Sequence, residues 1–177
     1  LPICDDIATL KSRETGEERD CIHIFARNSD VDEFNLKMLH EKCPDVQQIP
    51  AVDNFKQKQT GVSMKKGKSG TFALPKVLHL GIGARVMLTR NVDTSDGLVN
   101  GVFGTVSSIH VPDNGTDIKT IFVVFDDCMV GENVRKSTSF PRGTTDSSTP
   151  VVRQEESSKS GSGTRYQFPL KLAWACT

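Results

Sequence analysis

An α/β unit joined to a small all-β region is the fold class that this sequence of 177 residues predicts. Three patterns predict it: an apolar run followed at once by an amphipathic helix, a glycine-punctuated series of short strands, and an alternating apolar run at the end. The first is CIHIFA, Cys21 to Ala26, whose β-branched and aromatic residues mark a buried strand. A helix is expected directly after it. Ser29 with Asp32 forms an S-x-x-[DE] cap signature, Val31, Phe34, Met38 and Leu39 share one helical face, and Cys43-Pro44 ends the run. Strand, tight turn and helix in that order form the unit of a parallel sheet, whose functional groups gather at the carboxyl end of the strand, here Arg27 and Asn28.

From Val77 the texture changes. VLHL, ARVMLTR, GVFGTVSSIHV and KTIFVVFDD read as strands separated by turns at GIG, SDGLVNG and DNGTD, and together they predict a meandering barrel of about five strands. Asn100-Gly101 suits a hairpin turn, and Gly104 predicts a bulge or a close backbone approach. Residues 131–164 are rich in Ser, Thr, Gly and Pro and can bury little, although VVRQE reads as one more short strand closing the barrel. YQFPLKLAWACT then alternates Leu170, Leu172 and Trp174 against Lys171, Ala173 and Ala175, the pattern of a returning strand.

The chain carries 22 basic and 22 acidic side chains, so its total charge says nothing about partners, but their distribution does. Residues 1–53 hold 6 Lys/Arg against 12 Asp/Glu. Between Asn54 and Val92 there is no acidic residue, while Lys56, Lys58, Lys65, Lys66, Lys68, Lys76, Arg85 and Arg90 are basic. Such a block suits a phosphate backbone, by displacing condensed counterions, or equally a solvated lysine-rich loop. Within it, GVSMKKGKS imitates the loop that wraps nucleotide phosphates. The spacing is wrong: one residue too many separates Gly61 from Gly67, and Pro75 arrives before a helix can follow TFAL. The segment reads as a basic loop.

Five scattered cysteines, Cys4, Cys21, Cys43, Cys128 and Cys176, form no C-x-x-C pair and predict a reducing compartment and no zinc site. The sequon Asn114-Gly115-Thr116 matters only in a secreted protein, for which there is no other sign. The longest strongly apolar run, IFVVF, is too short to cross a bilayer as a helix, so no membrane partner is expected. The first residue is Leu1 and the end LAWACT has no stop signal, which predicts an excerpt of a longer protein.

Three blocks carry a resemblance. They are IFARNSDVDEFN (Ile24 to Asn35), LHLGIGARVMLTRNVDTSDGLVNGVFGTV (Leu78 to Val106) and QFPLKLAWACT (Gln167 to Thr177). Together they resemble the carboxyl-terminal half of the Pif-type DNA helicases, superfamily 1 motors related to RecD. The second block matches the family pattern G-A-x-V-M-L-x-x-N … L-V-N-G-x-x-G-x-V, and the third leads in the family into T-[IV]-H-K-x-Q-G.

The resemblance implies a partial RecA-like domain interrupted by an SH3-like β-barrel insertion. Residues 1–77 would be the first part of the second RecA-like domain, 78–164 the barrel with a flexible Ser/Gly-rich segment 131–164, and 165–177 the return strand. It implies a fragment of an ATP-dependent 5′-to-3′ helicase acting in DNA replication, repair, recombination or telomere maintenance. ATP and Mg2+ would serve the parent protein, with none bound by this piece alone. The family's phosphate loop, acidic magnesium motif, H-K-x-Q-G and final arginine have no counterpart here, so the piece alone is expected to be inactive. The implied partners are single-stranded DNA and the missing first RecA-like domain, the working form a monomer, and the compartment the nucleus, with the mitochondrion as alternative.

For DNA contact the resemblance points to Arg27 and Asn28 in the turn, where Ala26-Arg27 replaces the family's usual Thr, and to Thr177, whose counterpart offers a hydroxyl and an N–H to phosphate. It also points to His79, Asn91, Asn100 and Gly101; Lys65, Lys66 and Lys68 enter instead from the basic block, in a segment where family members differ. The competing reading makes Asn28 a local turn former, Asn91, Asn100, Gly101 and Gly104 shapers of turns and strands, and His79 and Trp174 packing residues. Two other functions stay open, a free-standing nucleic-acid-binding barrel and a protein-interaction domain without a nucleic-acid role.

Overall fold

The first apolar run becomes a short strand, β1 (His23–Ile24), with helix α1 (Asn28–Lys42) directly after it. A computed structural model describes residues 22–55, 72–111, 117–138, 147–158 and 163–177. The helix begins one residue before the expected cap. Arg27, in extended backbone, is the capping residue, and its carbonyl accepts the Val31 N–H at 3.2 Å. Ser29 is therefore already helical, and its hydroxyl donates to the Asp30 carboxylate instead of capping. The helix ends at Cys43, whose N–H donates to the Leu39 carbonyl before Pro44. Val31 and Leu39 are buried as expected, Phe34 and Met38 pack half-buried, and Asn35 lies buried between them.

Twelve strands are described in all. After α1 come β2 (Gln47–Pro50), β3 (Val52–Phe55), β4 (Val77–Leu80), β5 (Arg85–Leu88), β6 (Phe103–His110) and β7 (Thr120–Phe125). The short helix α2 (Glu132–Ser137) precedes β8 (Thr149–Val151), β9 (Gln154–Ser157), β10 (Gly163–Gln167), β11 (Leu170–Leu172) and β12 (Ala175–Cys176). Five of them form an antiparallel sheet in the order β11-β5-β6-β7-β8, three form β3-β10-β9, β2 pairs with β4, and β1 pairs in parallel with β12.

This corrects the expected barrel in three ways. Among the described residues the five-stranded sheet is open, with β11 and β8 at its edges. VLHL is a strand but lies outside that sheet, because its buried Leu78 and Leu80 alternate against β2, where Ile49 is buried. Its expected place is taken by β11, which pairs with β5. VVRQE is likewise not one strand: β8 and β9 are separate, and between them the Arg153 guanidinium turns to the Pro50 carbonyl at 2.9 Å and to Asp117 at 2.9 Å.

The returning run is also broken. Pro169, which has no N–H to donate, separates β10 from β11, and the buried Trp174 lies between β11 and β12. Consequently Leu170–Leu172 joins the five-stranded sheet, and only Ala175–Cys176 lies beside β1. Sheet pairing crosses positions 77 and 165, since β2 holds β4 and β3 holds β10.

Gly101 turns at φ 96, which suits glycine, whereas Asn100 keeps negative φ. At Gly104 the expected close approach is present: a Cβ there would lie 2.7 Å from both a Val123 methyl and the Val124 carbonyl. The bulge itself falls further along β6, between Val106 and Ser108. One apolar cluster joins α1 to the sheets through Leu39, Ile49, Leu80, Leu88, Val123, Phe168 and Leu170.

Candidate nucleic-acid interface

The parallel pair decides which predicted residues meet. Register sets His23 beside Ala175 and Ile24 beside Cys176, with the Phe25 N–H donating to the Cys176 carbonyl at 2.9 Å. Thr177 therefore leaves β12 at the same end at which Arg27 and Asn28 leave β1, and all three are exposed. The first turn of α1 opens beside them, with its free N–H groups and the positive end of its dipole. Asp30 in that turn opposes the field. Phe34 fixes β1 to the helix, its ring centroid 4.6 Å from His23 and 5.3 Å from Phe25.

Asn35 holds the other strand. Its Oδ1 accepts the Ala175 N–H at 2.8 Å, and its Nδ2 donates to the Ala175 carbonyl at 3.1 Å and to the Leu172 carbonyl at 3.3 Å. Sequence reasoning missed its part, although the signal was there: an amide between Val31 and Leu39 on the apolar face of a helix.

The second predicted group gathers in the loop between β5 and β6. Asn91 Oδ1 accepts the Asn100 N–H at 2.8 Å, and the Gly101 N–H donates to the Leu88 carbonyl at 2.9 Å. The Asp93 carboxylate accepts the Ser95 hydroxyl at 2.6 Å and the Ser95 N–H at 3.0 Å, bonds that hold its pKa below the ordinary aspartate range. This loop lies at the far end of the β11–β12 segment from Thr177, since Thr89 donates to the Pro169 carbonyl and Leu88 faces Leu170. The two groups are thus not one constellation. The Asn91 side chain builds a turn, while Asn100 keeps an exposed side chain.

Asp96, which the sequence did not single out, ties this loop to α2. It is 4% exposed, and its carboxylate accepts the Asn133 N–H at 2.9 Å and the Val134 N–H at 3.0 Å. His79 is half-buried on β4, and Trp174 is a core residue, 5% exposed. Lys65, Lys66 and Lys68 lie outside the described residues.

A charged cluster stands where β3, β10 and β9 meet. Arg165, 8% exposed, forks onto Asp53 at 2.7 and 2.8 Å, donates to the Leu74 carbonyl at 2.9 Å and lies over the Phe72 ring at 4.4 Å. Glu156 accepts the Ala73 and Leu74 N–H groups at 3.0 and 2.8 Å. The hydrogen bond from Arg165 pulls the Asp53 carboxyl below its usual range. Among the described residues no three His, Cys, Asp or Glu side chains come close enough to hold a metal ion, and no helix is long and apolar enough to cross a membrane.

Residues 71–109 match the family model of the DNA helicase Pif1 2B domain. The chain is 29% identical to the ATP-dependent DNA helicase PIF1 of Rattus norvegicus over 97% of its own length and 24% of that protein. Its fold is similar to the Pif1 helicase from Candida albicans, with TM-score 0.61 and 24% identity over 97% of this chain and 40% of that one. It is also similar to the Bacteroides Pif1 helicase crystallised with ADP-AlF3 and single-stranded DNA, with TM-score 0.58 and 23% identity over 96% of this chain and 34% of that one. The chain spans about a quarter of the length of the curated relative it matches.

Proposed function

We propose, from the match of residues 71–109 to the Pif1 2B domain and the similarity to a PIF1 helicase along nearly the whole chain, that this chain is a piece of a Pif-type DNA helicase and supplies a single-stranded DNA contact and one wall of the ATP cleft in an ATP-dependent 5′-to-3′ helicase. One observation carries this reading: the parallel pairing of β1 with β12, which brings the two ends of the described chain into one sheet with the β-rich part between them. That pairing supports an α/β half-motor with an SH3-like insertion. It also supports a shared rim, in which Arg27 meets a phosphate by charge and Asn28 and Thr177 meet one by hydrogen bonds.

Contacts of this kind fix the position of a strand without reading its bases, as a motor moving along DNA requires. The similarity to a Pif1 helicase crystallised with ADP-AlF3 and single-stranded DNA supports both the nucleotide and the strand as ligands of the longer protein. The residues present do not fit a triphosphate by themselves, because no G-x-x-x-x-G-K-[ST] loop occurs in the chain. ATP and Mg2+ therefore belong to the proposal as needs of the parent, together with a first RecA-like domain, and the piece alone is proposed to be inactive. The proposed working unit is one copy of the chain, acting in replication, repair, recombination or telomere maintenance, in the nucleus or alternatively the mitochondrion.

The test is a salt titration of binding to a fluorescent oligothymidylate. Affinity should fall log-linearly with salt, and Arg27→Ala should flatten the slope by about 0.7, the loss of one neutralised phosphate on a single strand. Changing Lys65, Lys66 and Lys68 together to Ala should flatten it further if that segment follows the backbone. The absence of any salt-dependent retention would remove the reading and favour a protein-interaction domain.

A further inference from the structure

We propose that Asn35 positions the Thr177 end of the chain for a phosphate-bearing strand, its side-chain amide standing in for the peptide of a neighbouring strand along β12. The inference rests on the DNA contact proposed above and adds to it a residue that touches no DNA. In the parallel pair, β1 bonds to the carbonyls of Trp174 and Cys176, the residues on either side of Ala175. The N–H and carbonyl of Ala175 therefore point to the opposite edge, where a further strand would take them.

Asn35 takes both, at 2.8 and 3.1 Å, and its remaining N–H reaches the Leu172 carbonyl at 3.3 Å. A primary amide offers an acceptor and two donor hydrogens, so each donor is used. The side chain is 4% exposed and sits between Val31 and Leu39, on the face of the helix that otherwise buries apolar residues. A polar group at this place has a partner it is matched to: the kinked backbone from Leu172 to Ala175, which passes from one sheet to the other.

Two consequences follow from this geometry. The outer edge of β12 is closed at Ala175, so the edge left open in this sheet, among the described residues, is that of β1, whose Ile24 is 74% exposed. Moreover Thr177 lies only two residues beyond the clamped peptide, so its direction at the rim is set from the α1 side by Asn35 and from the β1 side by Phe25.

The experiment uses the 177-residue chain with Asn35→Asp, Asn35→Ala, Thr177→Ala and the double variants, read by oligothymidylate binding and by amide exchange. Asn35→Asp keeps the acceptor for the Ala175 N–H but sets a buried carboxyl against two carbonyls, so both variants are read together with their far-ultraviolet dichroism, which separates loss of the clamp from loss of the fold. Each Asn35 variant should weaken binding by as much as Thr177→Ala does, about tenfold, the loss expected for one hydrogen bond to a charged phosphate. In Asn35→Ala the salt slope should stay unchanged, because no charge is gained or lost. In a Thr177→Ala background the Asn35 change should cost nothing further, an outcome that general destabilisation does not produce. Additive losses, or unchanged exchange at Ala175 and Cys176 in the Asn35→Asp chain, would overturn the proposal. If the unmodified chain does not bind the oligonucleotide, the DNA reading falls, while faster exchange in Asn35→Asp still registers the clamp.

Discussion

The fork between Arg165 and Asp53 shows how much one residue pair does in a sheet with few apolar side chains. The two are register partners on β10 and β3, so the ion pair lies directly across the strand pairing. Arg165 also anchors the Leu74 carbonyl, which joins the chain arriving at β4 to the same sheet. Removing the guanidinium by Arg165→Leu leaves a poorly exposed carboxylate and an unmet carbonyl, and should cost about 3 kcal/mol in urea unfolding. The pH dependence has a definite sign. Because the Arg165 hydrogen bond lowers the folded pKa of Asp53, its contribution is complete above the unfolded value of about 4 and disappears as acid titrates the folded carboxylate. Asp53→Asn should therefore be less stable than the native chain at neutral pH and lose less on acidification; parallel curves from neutral pH to about pH 3 would contradict it.

At the scale of elements, what was legible in the sequence is what carries its own period. Helix α1 was readable because Val31, Phe34, Met38 and Leu39 repeat at helical spacing, and β5, β6 and β7 because glycines punctuate β-branched runs. β2 and β3 were not. QQIP and VDNF have no alternation and are bordered by proline and polar residues, and their pairing is decided by distant groups, the Gln167 amide donating to the Ile49 carbonyl and Arg165 on Asp53. The candidate site divides the same way. Arg27, Asn28 and Thr177 were found through motifs and meet through register, whereas Asp96 looks like any turn aspartate until α2 is placed above it. Asp96 caps that helix from another loop, since the capping residue Gly131 has no side chain to do so. Asp96→Ala should cost about 1–2 kcal/mol in thermal unfolding and expose the Asn133 and Val134 amides to exchange, and protection retained at both would show that the cap is dispensable.

On the scale of the whole molecule, the question is whether the β-rich part folds as a unit of its own. Hydrogen-bonded pairs run against that: β2 with β4, β3 with β10 and β1 with β12 each join segments far apart in the sequence, and one apolar cluster includes Leu39 of α1 with Val123 of β7. A chain laced this way should unfold in one step, because neighbouring strands along the chain belong to different sheets and one apolar cluster is shared among them. Trp174, the only tryptophan, is buried between β11 and β12 and so reports the junction of the five-stranded sheet with the parallel pair. Its fluorescence and the far-ultraviolet dichroism of all the strands should give superimposable urea transitions. Arg165→Leu, which acts at the distant β3–β10 pairing, should move both midpoints down together by the same amount. If the fluorescence transition stays in place while the dichroism splits in two, the sheets are independently stable, and the β-rich part is a separable domain that the two chain ends merely enclose.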